Sequence, residues 1–399
     1  MSETVETRRT IAFVNWAHAL DHFVLLIFPT AVIAVAADLH RDYSELISLS
    51  TGAFVAFGLF ALPVGWLADR FGRRAVLAAY FFGYGASCLL VAASASPPAL
   101  AASLFVLGIF SAIYHPVGSS MIVANATNLG RALGINGVWG NMGSALAAGI
   151  SGGLANALGW RAAFFVPGLV LIASGIAFVL LVREGEPARK SQAASHKIQG
   201  SRRHLALLLA VFALALLAGG LTFNIVSISL PKVVDERLGL PVPLAVTGWI
   251  ATGIFVCGAF TQILIGRLME RVELTLLFVC LSLLQPIGLG LAAATAGIPM
   301  VLGLMLATAA IFGQIVVNDG MIGRYVPGEY RNRVYSVRFF VSFTVGGLAV
   351  PAIAMLHAHG GFQAVLLVAG AIGGVIFLCA IATWALPRGR LRATPALAE

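Results

Sequence analysis

"GWLADRFGRR", residues 65 to 74, places two glycines, one acid and three arginines between two long apolar runs. Glycine permits a tight turn between closely packed helices. Asp69 is expected near the N-terminus of the following helix, where free amides and the dipole favour a carboxylate. Arg70, Arg73 and Arg74 suit the anionic inner face of a bilayer. Taken alone, the stretch reads as a basic hairpin at a membrane surface, so the flanking runs decide the fold.

The chain has 399 residues, 59% hydrophobic and only 10% charged, with mean hydropathy +0.95. A soluble domain carries roughly 25% charged residues. Lipid is therefore the main solvent, and the apolar runs reach the roughly 20 residues that cross a bilayer core as helix. Strand-like alternation is absent, which argues against a β-barrel. Twelve spans are predicted, near 11–37, 46–68, 74–94, 98–122, 131–157, 161–183, 205–231, 243–268, 272–294, 297–321, 332–357 and 361–386. With an inside N-terminus, Arg41, Arg161, Lys232 and Arg237 are the only outside cations, leaving 21 of the 25 Lys and Arg inside. That distribution is the positive-inside rule. The net charge of +9 is thus topological and does not imply a nucleic-acid partner.

The N-terminal run resembles a signal peptide in outline, but it is too long and carries charge, so it is read as a retained first span. Cys88, Cys257, Cys280 and Cys379 lie singly in apolar spans, with no zinc spacing or disulfide framework. A polar segment at 183–204 has linker composition. It divides the chain into an N-terminal six-span unit (1–182) and a C-terminal one (205–399).

The two units resemble each other. At an offset of 201, "TGAF" (51–54) matches "TGIF" (252–255), and "GWLADRF" (65–71) matches "GRLMERV" (266–272). At 202, "GIFSAIYHPVG" (108–118) faces "AIFGQIVVNDG" (310–320), and Pro29, Arg131 and Gly168 face Pro231, Arg333 and Gly370. Tandem six-span repeats are the arrangement of transporters whose halves rock about a midplane site.

Ionisable side chains inside spans cost roughly 2.5–3.5 kcal/mol at the helix centre, and they normally face a bundle interior or a water cavity. Asn15, His18, Asp21 and His22 occupy one arc of about 120° on the first helix. Asp21 lies about 15 Å along that helix, near the bilayer midplane. An aspartate beside histidines can carry a proton, since histidine titrates near physiological pH unaided. His115, followed by Pro116 in span 4, is a candidate partner, with Ser111 and Tyr114 nearby. The same groups can instead hydrogen-bond helices together. A His-x-x-x-His pair can also ligate zinc, but no further ligand set is visible, and no metal is assigned.

In the second unit Asn224, Gln314 and Asn318 are candidate substrate contacts. Arg338 suits a phosphonate or carboxylate, or else snorkels to the inner leaflet. Asp319 and Arg324 are candidate gate residues near the inner end of span 10. Asn141, among Gly137, Gly140 and Gly143, reads as helix packing first and as a cavity donor second.

With these residues in view, "GWLADRFGRR" resembles the signature loop of the major facilitator superfamily, and the resemblance covers essentially the whole chain. It implies an all-α membrane protein with twelve transmembrane helices in two six-helix bundles, both termini cytoplasmic, working by alternating access. It also implies that Gly65, Asp69, Arg70, Gly72, Arg73 and Arg74 latch the cytoplasmic side, with Glu270 and Arg271 a weaker second copy. "AHALDHF", "YHPVGSS" and "GVWGNMGSALAAG" are further similar to fosmidomycin-resistance-type proton-coupled exporters. Drug antiporters of the superfamily usually carry Gly-Pro in span 5, where this chain has Ala147-Ala148.

The resulting expectation is a proton-coupled secondary transporter of a bacterial-style inner membrane. It exports a small toxic compound, neutral or anionic, in exchange for protons, or imports a small organic or inorganic anion by symport. Asp21, His18, His22 and His115 handle the proton; Asn15, Tyr114, Asn141, Asn224, Gln314, Asn318 and Arg338 meet substrate. It is expected to act as a monomer among membrane lipids, with no cofactor beyond the proton gradient. A membrane enzyme using the histidines as bases or metal ligands is disfavoured by the repeat and the loop. No GxxxxGK[ST] sequence is present, so ATP-driven transport is not supported.

Overall fold

The computed structural model describes the backbone of residues 5–183, 202–325 and 328–385, and the side chains of 5–183, 210–322 and 345–385. All regular structure among the described residues is helical. The first half contains α1 (Val5–Leu25), α2 (Ile27–Leu39), α3 (Tyr43–Ser48), α4 (Thr51–Phe71), α5 (Arg73–Ala93), α6 (Pro97–Ser111), α7 (Tyr114–Asn125), α8 (Leu129–Leu158) and α9 (Ala162–Leu181). The second contains α10 (Arg202–Arg237), α11 (Leu244–Leu268), α12 (Leu274–Ala294), α13 (Gly297–Tyr325) and α14 (Gly328–Ala385). Ten segments among the described residues are long and apolar enough to cross a membrane. The exterior is oily as lipid requires, with Leu180 76% and Phe260 69% exposed.

Three predicted spans are each broken into two helices, span 2 at Leu49–Ser50 between α3 and α4. Span 1 breaks at Leu26, between α1 and α2, and span 4 breaks at Ala112–Ile113, between α6 and α7. In spans 1 and 4 the cause is proline. Pro29 and Pro116 lack an N–H, and each ring crowds the carbonyl four residues back, at Leu25 and Ala112. Pro231, related to Pro29 by the repeat, sits instead inside the unbroken α10. The last two predicted spans run on as α14, but the backbone leaves helical geometry at Gly360 and Gly361 (φ +59° at Gly361). Span 5 is the continuous 30-residue α8, whose glycines and asparagines keep it outside the ten most apolar segments.

Without a hydrophobic drive between helices in lipid, close backbone contact and interhelical hydrogen bonds set the packing. A Cβ at Gly143 would collide with the Ala19 carbonyl, so α8 presses directly on α1. Across the halves, Gly248 of α11 approaches the Ala148 carbonyl of α8 in the same way. The Thr252 hydroxyl donates to the Ala145 carbonyl (2.7 Å) and accepts from the Gly149 N–H (3.0 Å). Near it, Asn141 donates to Gln262, a second bond between α8 and α11.

The 65–74 turn differs in detail from the expectation. Gly72 alone makes it, at φ +85° and ψ +143°, a region that only glycine enters cheaply. Gly65 lies inside α4 with open space around its missing side chain. Asp69 belongs to the last turn of α4 rather than to the start of α5. Gly137, expected at a packed face, also meets open space, whereas Gly140 and Gly143 are crowded.

Candidate functional site

The first-half interior contains a polar cluster built by α1, the α6–α7 break and α8. Asp21 is fully buried. Its Oδ1 accepts a hydrogen bond from Ser111 Oγ (2.7 Å), and its Oδ2 lies 3.6 Å from His115 Nε2. Ser111 is the last residue of α6 and His115 the second of α7, so the break delivers both to one carboxylate. The α1 end of the same device is the break at Leu26, just beyond Asp21. Non-helical backbone at membrane depth is tolerated where protein or a cavity surrounds it.

Around the carboxylate, the rings of His18, His22 and His115 form a triangle with centroids 4.9, 5.2 and 5.4 Å apart. All three rings are partly buried. His18 Nδ1 lies 2.7 Å from the Asn136 backbone carbonyl. A carbonyl only accepts, so Nδ1 carries the proton and Nε2 presents a lone pair. Gly140 makes room for this ring: a Cβ there would come 2.5 Å from His18 Nε2. Tyr114 stacks on the other side of His18 at 4.7 Å. The buried tyrosines 80 and 84 hold α1 from α5, donating to the carbonyls of Ala17 (2.9 Å) and Asp21 (3.1 Å).

Asn136 joins the cluster together. Its amide donates to Asn15 Oδ1 (3.0 Å) and to the Tyr114 hydroxyl (2.8 Å), while its backbone carbonyl takes His18. Sequence reasoning picked Asn141 on this helix and passed over Asn136. The available signal was its position one turn from Gly140, on the face where small residues let α1 approach.

The structure therefore gathers Asn15, His18, Asp21, His22, Tyr114 and His115 into one network. The other predicted contacts lie apart from it. Asn141 pairs with Gln262 between the halves. Asn224 donates to the Gly220 carbonyl (2.8 Å) and lies beside Gly346. Gln314 accepts from Gln285, and Asn318 is buried further along α13. Arg338 and Arg324 lie on helices whose side chains at those positions are outside the described residues, and Asp319 lies on α13.

At the 65–74 end, Arg74 donates to the carbonyls of Val182 (2.5 Å) and Val179 (2.6 Å), both in its own half. Among the described residues, Asp69, Arg70 and Arg73 form no ion pair, nor do Glu270 and Arg271 in the repeat copy. The opposite end is tied across the halves by a network the sequence did not reveal. Ser44 Oγ of α3 hydrogen-bonds His357 Nδ1 of α14 (2.8 Å), and His357 Nε2 donates to the Glu236 carboxylate of α10 (3.2 Å). Lys232 bridges Asp235 (2.7 Å) and Glu236 (3.4 Å), and Tyr43 packs on His357. Each of the four expected outside cations finds an acceptor, although Arg237 Nη1 is buried without one among the described residues. Arg41 pairs with Glu45, Arg161 with Asp38, Lys232 as above, and Arg237 reaches the Ala293 and Thr295 carbonyls.

The described residues thus form an all-helical, multi-pass membrane chain with a buried ionisable network. The chain matches the model of the Major Facilitator Superfamily over residues 11–247 and 242–398, and it belongs to that family. It is 28% identical over 176 residues to the tetracenomycin C resistance and export protein of Streptomyces glaucescens, covering 43% of this chain and 32% of that one. It is 27% identical over 208 residues to a probable sulfoacetate transporter of Cupriavidus necator, covering 50% of this chain and 47% of that one. The chain thus spans about a third to a half of these relatives' lengths. In fold it is similar to a bacterial homologue of the human lysosomal transporter Spinster, inward-facing and occupied: TM-score 0.80 at 15% identity, covering 96% of this chain and 98% of that one.

Proposed function

We propose that this chain is a proton-coupled exporter of a small, toxic, in some cases anionic compound, driven by exchange with protons. The observation that carries the reading is Asp21: a fully buried carboxylate, held by Ser111 and faced by His115, where two membrane helices are broken. A carboxylate in that position is costly as a fixed charge, and it becomes useful if it takes and releases a proton during the cycle. Discontinuous helices at midplane sites are a recurrent device of secondary transporters. The export direction is supported by the resistance and export function named for the Streptomyces relative.

In this reading His18, His22 and His115 tune or relay the proton, and Asn15 and Tyr114 set the wall that substrate meets. Asn141, Asn224, Gln314, Asn318 and Arg338 furnish the facing half. Splitting α14 at Gly360–Gly361 and adding α8 to the ten apolar segments gives twelve crossings in two six-helix bundles. Both termini then lie on the same, cation-rich cytoplasmic side of a bacterial inner membrane. The Ser44–His357–Glu236 network closes the outer end of a monomer. Asp69, Arg70, Arg73 and Arg74, with Glu270, Arg271, Asp319 and Arg324, act at the inner end when the halves rock.

A second reading, uptake of a small organic anion by proton symport, is favoured by the similarity to the sulfoacetate transporter. One experiment separates the two. Purified full-length chain in proteoliposomes is given tetracenomycin C or sulfoacetate, with and without an imposed pH gradient. Export predicts substrate movement opposite to the proton flux, and symport predicts movement with it. Flux that ignores the gradient for every substrate overturns the proton-coupled proposal.

A further inference from the structure

We propose that His18, His22 and His115, with Asp21 as a fourth ligand, form a binding site for a zinc-class divalent transition-metal ion. The sequence offered only an i, i+4 histidine pair; the fold adds a third imidazole from another helix. Ligand nitrogens of the three histidines all lie within 4.8 Å of one another. Tetrahedral zinc with Zn–N bonds of about 2.0–2.1 Å holds its ligand atoms roughly 3.3 Å apart. The rings need to close by about 1.5 Å at most, which side-chain rotation supplies without moving a helix.

The fourth ligand adjoins one of the three rings and must swing toward the other two, since the mutually close donor atoms are those of the three histidines. Asp21 Oδ2 lies 3.6 Å from His115 Nε2, close to the edge length of that tetrahedron, and accepts no hydrogen bond among the described residues. The supporting shell matches what metal ligands require. Metal-binding histidines ordinarily donate their second N–H to a carbonyl or carboxylate, which fixes ring orientation and tautomer. His18 does so through Nδ1 to the Asn136 carbonyl at 2.7 Å. Ligating carboxylates are themselves hydrogen-bonded, as Asp21 Oδ1 is by Ser111 at 2.7 Å.

The donor chemistry selects the ion. Three imidazoles and one carboxylate suit zinc, cobalt, nickel or copper, whereas magnesium and calcium take sets of oxygens. One carboxylate lowers the charge of a bound divalent ion to a single net positive charge, which reduces the cost of holding it in a partly enclosed site. An ion bound here joins α1 to α7 across the broken stretch of span 4. The inference does not rest on the direction or coupling of transport, because binding is read on the resting protein.

The test uses the full chain, purified untagged in detergent, chelator-stripped and titrated with Zn2+ by calorimetry. One saturable ion per chain is expected, with at least tenfold weaker binding in His115→Gln and none in the triple variant His18→Gln/His22→Gln/His115→Gln. Binding of unchanged affinity in the triple variant, or no saturable binding by the wild type, overturns the proposal. Loss of binding through misfolding is controlled on the wild-type chain by titration with Co2+. A tetrahedral visible spectrum supports the site, and an octahedral, water-like spectrum overturns it.

Discussion

Replacing Asp21 by asparagine separates the carboxylate's chemistry from its place in the fold. The asparagine carbonyl keeps the acceptor for Ser111 Oγ, now 2.7 Å from Oδ1. Its amide occupies the Oδ2 position, 3.6 Å from His115 Nε2, and can donate toward that ring. No buried group loses its partner, so the folding cost stays below about 1 kcal/mol. Asp21→Ala, by contrast, removes the carboxylate acceptor of the fully buried Ser111 hydroxyl and costs about 1–3 kcal/mol. Transport should respond quite differently. If one proton is exchanged per substrate, each pH unit across the membrane supplies about 1.36 kcal/mol, or about tenfold accumulation. In proteoliposomes with a gradient of about one pH unit, the wild type should approach that ratio while Asp21→Asn stays near equality. Substrate counterflow at equal pH should persist in the asparagine variant. An Asp21→Asn chain that still concentrates substrate about tenfold would refute Asp21 as the coupling group.

Four further perturbations test the packing and the closures. Gly143→Leu should force α8 away from the Ala19 carbonyl and lower thermal stability by the amount typical of overpacking, about 1–3 kcal/mol; an unchanged melting curve would count against that contact. Thr252→Val removes two hydrogen bonds between the halves, and at roughly 0.6 kcal/mol each in membrane proteins should cost about 1 kcal/mol in mixed-micelle denaturation. Glu236→Gln should loosen the outer closure, seen as faster thiol labelling of Ser44→Cys than in the Glu236 background; equal rates would exclude that role. Gly72→Val must adopt φ +85° with a branched side chain and should lose about 1–3 kcal/mol of stability, with no loss if the turn can relax.

The membrane class and the α1 stripe are legible in the sequence, because each is a local pattern. Asn15, His18, Asp21 and His22 share a face by helical geometry alone, and that face is the one the fold buries. His115 and Tyr114 were placed with them on residue type, and the structure agrees because Pro116 breaks the helix beside them. Asn136 was passed over, since an asparagine in a glycine-rich helix looks like its neighbour Asn141 until a partner helix is known. The Ser44–His357–Glu236 closure was invisible for a different reason. Its members sit at helix ends, where polar residues are expected to face water, and Ser44 and His357 are 313 positions apart. Gly65 shows the reverse error: a glycine in a turn-like motif that makes no turn, because Gly72 supplies the positive φ.

Gly140 carries a consequence for descent as well as for packing. The space it leaves is filled by the His18 imidazole, with no room for even one added carbon. The two positions are therefore coupled through one shared space. A side chain added at 140 meets the tip of the His18 ring, which must shift to admit it and strain its bond to Asn136. In a family of such chains, the choice at one position should forecast the choice at the other.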